Sequence, residues 1–99
     1  MATEGFQTRE VRRFHNTPAP QTLITGGVAV VSDIITGLEI VMTTTTDCFF
    51  LFGNDPTVTT SNGHFIPEGS SWPILTVPGE KVSVISPSGP GNVYISTIG

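Results

Sequence analysis

Apolar and polar residues alternate along most of this chain in short runs with a period of two. In Leu38-Glu39-Ile40-Val41-Met42-Thr43-Thr44 the alternation starts cleanly and passes into a threonine run. Lys81-Val82-Ser83-Val84-Ile85-Ser86 sets Val82 and Val84 on one face and Lys81, Ser83 and Ile85 on the other. Asn92-Val93-Tyr94-Ile95-Ser96 divides Val93 and Ile95 from Tyr94 and Ser96 in the same way. Successive side chains of a strand point to opposite faces, so this period predicts half-buried strands. Phe49-Phe50-Leu51-Phe52 does not alternate. Such a run suits a central strand covered on both faces, one of them against a neighbouring subunit.

The pattern predicts strands at 22–25, 28–35, 38–45, 48–53, 72–77, 81–86 and 92–98, with a further short one at 57–60. Turn chemistry separates them. Gly26-Gly27 and Gly37 follow strand ends, and Val77-Pro78-Gly79-Glu80 has the residues of a tight turn. Pro67 and Gly69 of Ile66-Pro67-Glu68-Gly69 predict another, with positive φ at the glycine. Ser61-Asn62-Gly63-His64 offers further positions tolerant of positive φ and reads as a turn. Trp72-Pro73 fits an edge strand, because proline cannot donate to a ladder. Strands this short and this closely spaced predict an all-β fold, a small antiparallel β-sandwich of jelly-roll type.

Composition supports that reading. Thr, Val and Ile make up 34 of the 99 residues, and β-branched side chains suit a pleated surface better than a helix. Charged residues are only 12%, about half the usual share. A domain this small buries roughly 60–65% of its unfolded surface, so a weakly charged exterior invites association with copies or partners. Cys48 is the single cysteine, which rules out an intrachain disulfide and predicts a small buried hydrophobe. The sequence shows neither the apolar core of a signal peptide nor an apolar stretch of eighteen residues, so a soluble protein made inside the cell is expected.

Charge divides the chain in two. Residues 1–20 hold Arg9, Arg12 and Arg13 against Glu4 and Glu10, a net of +1; residues 21–99 hold Lys81 against six acids, a net of −5. The first segment reads as an extended N-terminal docking arm, and 21–99 as the sandwich body. Pro18 and Pro20 favour extended backbone at Thr17 and Ala19. Phe6 and Phe14 are its candidate anchors, with Arg9, Arg12 and Arg13 pairing to carboxylates on a partner. Twenty extended residues span roughly 60–70 Å, enough to cross between subunits. Phe49, Phe50, Phe52, Trp72 and Tyr94 are the candidate core and oligomer contacts of the body.

No constellation of catalytic or metal-ligating residues is legible. His15 and His64 lack metal-ligand spacing, and Asp33, Asp47 and Asp55 are isolated. No catalytic residue, cofactor or metal is expected. A net charge of −4 argues against nucleic acid, and nothing points to a membrane. Trp72, Tyr94 and His64 are candidates to line a sugar-binding surface.

From Leu51-Phe52-Gly53 through Val58-Thr59, Asn62-Gly63, Ile66-Pro67 and Gly69 to Gly79, Val82–Ser86, Gly89 and Val93-Tyr94-Ile95, the chain resembles a β module of small tailed-bacteriophage virion proteins. The resemblance spans about half the chain and rests on turn glycines and alternating aliphatics. It implies a non-enzymatic structural protein of the virion, a capsid decoration (cement) protein bridging neighbouring capsid subunits. It also implies a homotrimer, a major capsid protein or other virion protein as partner, and a place on the capsid exterior after synthesis in the host cytoplasm. The alternative is a carbohydrate- or host-surface-binding module of a tail or head fibre.

Overall fold

A computed structural model describes Phe14 and residues 19–98, which form eight strands and no helix. In chain order these are β1 Gln21–Thr25, β2 Val30–Val31, β3 Glu39–Thr44, β4 Cys48–Gly53, β5 His64–Ile66, β6 Ser71–Leu75, β7 Lys81–Ile85 and β8 Gly91–Ile98. They build two antiparallel sheets, ordered β1-β8-β3-β6 and β2-β7-β4-β5. Every connection crosses between sheets except β4–β5. This double Greek-key order is the jelly roll, and the expected sandwich is the one formed. Phe6, Arg9, Arg12 and Arg13 lie outside the described residues.

The core follows from the period of two. In the first sheet Ile40, Met42 and Thr44 of β3 stand opposite Thr97, Ile95 and Val93 of β8. In the second, Phe50 pairs with Val84 and Phe52 with Val82. Ile40, Met42, Cys48, Val82 and Val84 retain no exposed surface. Each fully buried aliphatic side chain contributes about 1.5–3 kcal/mol over leaving it in water. Cys48 is the buried small residue expected, its thiol 3.3 Å from the Thr44 hydroxyl.

Two turns form as their residues dictate. The Glu80 amide donates to the Val77 carbonyl at 3.1 Å, with Gly79 at φ 97°. The Ser70 amide donates to the Pro67 carbonyl at 3.2 Å, with Gly69 at φ 76°. That second turn is therefore framed one residue later than expected. Pro73 sits on β6, an edge strand, where its missing donor costs least.

Three expectations are corrected. The strand expected at 28–35 shrinks to Val30–Val31 because Ser32 replaces ladder backbone with its side chain. Its amide donates to the Val82 carbonyl at 2.9 Å, while its hydroxyl accepts the Val82 amide at 3.0 Å. Residues 57–60 are not a strand; the Thr59 hydroxyl and the Asn62 side chain capture amides and carbonyls there, folding a local turn. The strand lies instead at β5, so His64 is a strand residue and not part of a turn. Neither Asn62 nor Gly63 takes positive φ. Gly63 is needed for space: a Cβ there would lie 2.6 Å from Val58 Cγ2 and 2.9 Å from Phe49 Cβ.

Replacing Gly63 by Ala should therefore destabilise the protein by about 1–3 kcal/mol. Gly26→Ala, where a Cβ meets nothing within 4 Å, should stay within about 0.5 kcal/mol of wild type. Thr25→Val should raise stability by about 1 kcal/mol, because the buried Thr25 hydroxyl has no hydrogen-bond partner. Urea midpoints should rank Thr25→Val above wild type and Gly26→Ala, with Gly63→Ala last. A Gly63→Ala protein as stable as wild type would refute the steric argument.

Candidate interaction surfaces

The even alternation of β4 divides its phenylalanines. Phe50 points into the core, 6% exposed, and Phe52 packs against the core beside it, with ring centroids 5.8 Å apart. Phe49 takes the outer face of the second sheet. There the register aligns Phe65, Phe49 and Ile85 in one row across β5, β4 and β7. The Phe49 and Phe65 rings are 5.3 Å apart, tilted at 57°. The row carries no charge. Val31 lies on the same face, opposite Ser83, and Val31 and Phe65 are 45% and 47% exposed.

Part of this face is roofed by the chain itself. Because β4 and β5 stay in one sheet, residues 54–63 double back over it and bury Pro56 and Val58. Ser83, expected on an open face, is completely buried beneath them and accepts the Val58 amide at 3.1 Å. The Phe65–Phe49–Ile85 row borders that roof.

Trp72 and His64 lie on edge strands of the two sheets, β6 and β5. Both contact the Phe50 ring, with centroids 6.3 Å and 5.5 Å away. Tyr94 is not with them. It stands on the outer face of the first sheet, in register with Thr22 and Thr43, its hydroxyl accepting from Asn92 Nδ2 at 3.1 Å. The three candidate sugar-binding residues are thus split between two faces.

A second apolar surface caps the end of the sandwich where β8 finishes. Phe14 makes an antiparallel bridge to Ile98, extending a row that runs Phe14, Ile98, Glu39, Leu75 across the first sheet. Backbone bonds stitch the neighbouring loops together: Thr76 amide to Leu38 carbonyl and Gly79 amide to Ile35 carbonyl, both 2.8 Å. Leu75 (82% exposed), Leu38, Val77, Phe14 and Ile34 all stand open to solvent here. Asp33, Glu39 and Glu80 lie among them in the same loops and strand ends. Of the candidate arm anchors, only Phe14 is among the described residues, and the structure fastens it to this end.

Sequence reasoning missed Phe65, Val31 and the cluster of Leu38, Leu75 and Val77. Alternation marks which residues share a face; it does not mark which face stays uncovered. Leu75 beside half-buried Ile74 carried the one available signal, a second apolar residue on the opposite side of an edge strand. Among the described residues no pocket is formed, and no three His, Cys, Asp or Glu side chains gather as a metal site. No helix among them is long and apolar enough to cross a membrane. No protein-family model, curated protein or solved structure matches the chain.

Replacing Ser83 by Ala would strand the buried Val58 amide and should cost about 1–3 kcal/mol. Ser88→Ala, on an exposed loop, serves as the control and should be near neutral. The Val58 amide should also lose its protection in hydrogen exchange in Ser83→Ala; undiminished protection would mean the loop is held by other contacts.

Proposed function

We propose that this protein is a non-enzymatic structural protein of a phage virion that decorates and cements the capsid from outside. The observation that carries the reading is the presence of two separate apolar surfaces on one small body. One is the flat row of Phe65, Phe49 and Ile85 with Val31; the other is the end bearing Phe14, Leu38, Leu75 and Val77. A protein that bridges subunits needs at least two adhesive surfaces, and a body with so few charges keeps both cheap to desolvate. The phage resemblance of the Phe50–Ser96 stretch supports the setting. The jelly roll is compatible with it, being common in viral capsids, although it also serves lectins and cupins and so decides nothing alone.

In this reading the flat phenylalanine row meets the major capsid protein, and association of the body into a trimer at a junction between capsid subunits supplies the rest. Each contact is individually weak. Linking several in one oligomer converts the later ones into intramolecular events, which raises overall affinity by orders of magnitude without new contacts. Arm residues Phe6, Arg9, Arg12, Arg13 and Phe14 serve assembly at the opposite surface.

A carbohydrate- or host-surface-binding module of a fibre is the second reading, favoured by Trp72 and His64 gathering on Phe50 at an accessible rim. Sugar rings stack on exposed aromatic faces, but the polar groups that fix a sugar's orientation are not assembled around this pair.

The test is cosedimentation of the full chain with capsids of its major capsid protein. Wild type should pellet with the shells, whereas Phe65→Ser combined with Val31→Ser, both surface changes, should reduce bound protein at least about tenfold. Trp72→Ala should leave shell binding intact, and a glycan array should be blank. Shell binding that survives the Phe65/Val31 change would remove the proposed docking face, and specific glycan retention lost in Trp72→Ala would favour the fibre reading.

A further inference from the structure

We propose that Asn62-Gly63 is a self-modification site gated by the loop that roofs the second sheet. The closed loop withholds the pair, opening releases it to form a succinimide, and the hydrolysed product keeps the roof from closing again. This rests on the bonding of residues 57–63, independently of the capsid reading.

Of the four asparagines, Asn62 alone precedes a glycine. The side chains that follow the others, on Thr17, Asp55 and Val93, crowd the backbone nitrogen that would attack. Gly63 has no Cβ to obstruct it. In the reaction the Gly63 nitrogen gives its proton to hydroxide and bonds to Asn62 Cγ. The bond from Cγ to Nδ2 breaks, ammonia leaves with a proton taken from water, and a five-membered imide closes. Water then adds to one of the two imide carbonyls. Ring opening at Cγ leaves an aspartyl residue at position 62. Opening at the backbone carbonyl leaves an isoaspartyl link, whose main chain runs through Cβ and Cγ and is one carbon longer. The side-chain amide and one water have become a carboxylate and ammonium, with no change of oxidation state.

The closed loop holds the groups this reaction needs. The Gly63 amide donates to the Thr59 carbonyl at 3.1 Å. Asn62 Oδ1 accepts the Thr59 amide at 2.7 Å, and Asn62 Nδ2 donates to the Thr57 carbonyl at 3.2 Å. The Asn62 amide donates to the Thr59 hydroxyl at 3.2 Å. The carboxamide is thus pinned through both its oxygen and its nitrogen, and the attacking nitrogen is committed elsewhere. Asn62 is exposed, so hydroxide and water reach it and the gate is the bonding, not burial. Bonds of an exposed loop break in local fluctuations that leave the core closed.

Neither product restores the loop. A carboxylate oxygen in place of Nδ2 has no hydrogen to give the Thr57 carbonyl. The isoaspartyl link lengthens a chain that has no slack there, since even a single carbon added to Gly63 would lie 2.6 Å from Val58 Cγ2 and 3.0 Å from the Thr59 carbonyl oxygen. Val58 then leaves Ser83, and a negative charge appears beside the uncharged row of Phe65, Phe49 and Ile85.

The experiment incubates the full chain in mildly alkaline buffer and follows conversion at Asn62 by peptide mass spectrometry, with enzymatic isoaspartyl labelling to identify the product. Conversion should be at least about tenfold slower in the native protein than in strong urea. It should rise in urea too dilute to unfold the body, because the loop opens first. Thr59→Ala, which removes the acceptor of the Ser61 and Asn62 amides, should speed native conversion roughly fivefold and leave the rate in strong urea unchanged. Modified protein separated by ion exchange should have lost hydrogen-exchange protection at the Val58 amide. Equal rates in native and unfolded protein, or no conversion in strong urea, would overturn the proposal. A rate that climbs only across the global unfolding transition would remove the loop as the gate, whether or not Thr59→Ala folds. Modified protein with Val58 protected as in wild type would show that the roof closes over the product, and would overturn the last step.

Discussion

The burial of one face of each sheet against the other is the constraint on which the rest of this molecule depends. Ile40 and Met42 from β3, Val93 and Ile95 from β8, Val82 and Val84 from β7, and Cys48 and Phe50 from β4 form one continuous layer. These four strands are the interior strands of the two sheets, and they hold the least exposed side chains. A one-residue slip in any of them would turn its apolar set outward, so the register is enforced by the core itself. The edge strands are held more lightly. β2 is two residues long and β6 carries Pro73, both of which limit pairing with foreign strands at the edges.

Because six of the seven connections cross between sheets and only β4–β5 stays within one, the two outer faces have different fates. Residues 54–63 can lie back on the second sheet and shelter Ser83 beneath Val58, with Gly63 allowing the close approach. What remains open beside that roof is the uncharged phenylalanine row. On the first sheet the outer face is mostly hydroxyl-bearing, as in Thr22, Tyr94, Thr43 and Ser71. The contiguous apolar row on the flat face and the apolar cluster at the end are the two surfaces the capsid reading draws on; Ile24 and Val28 are also exposed, outside both.

Strands were legible where alternation was strict or the apolar run was unbroken. The run expected at 48–53 is β4 residue for residue, and 81–86 and 92–98 differ from β7 and β8 by one residue. Legibility failed where side chains compete with backbone for hydrogen bonds. Ser32 ends β2 by offering its hydroxyl to Val82, and Thr59 with Asn62 turns 57–60 away from a strand. Of the proposed surfaces, the sequence pointed to Phe49 as a residue on a contact face and to Phe14 as an anchor. It could not pair Phe49 with Phe65, because that neighbour is set by long-range register.

By itself the sequence determined the fold class, the turns at Gly69 and Gly79 and the division into a basic segment and an acidic body. Local propensity, fixed φ and charge count act over a few residues and can be read there. Tertiary structure alone decided that Ser83 is buried while Leu75 is open, and that Trp72 and His64 each reach the Phe50 ring while Tyr94 stands on the outer face of the first sheet. It also fastened Phe14 beside the exposed apolar end. Those outcomes depend on which strands become neighbours and which loop lies over which face, and contacts between residues distant in the chain leave no periodic mark on the sequence.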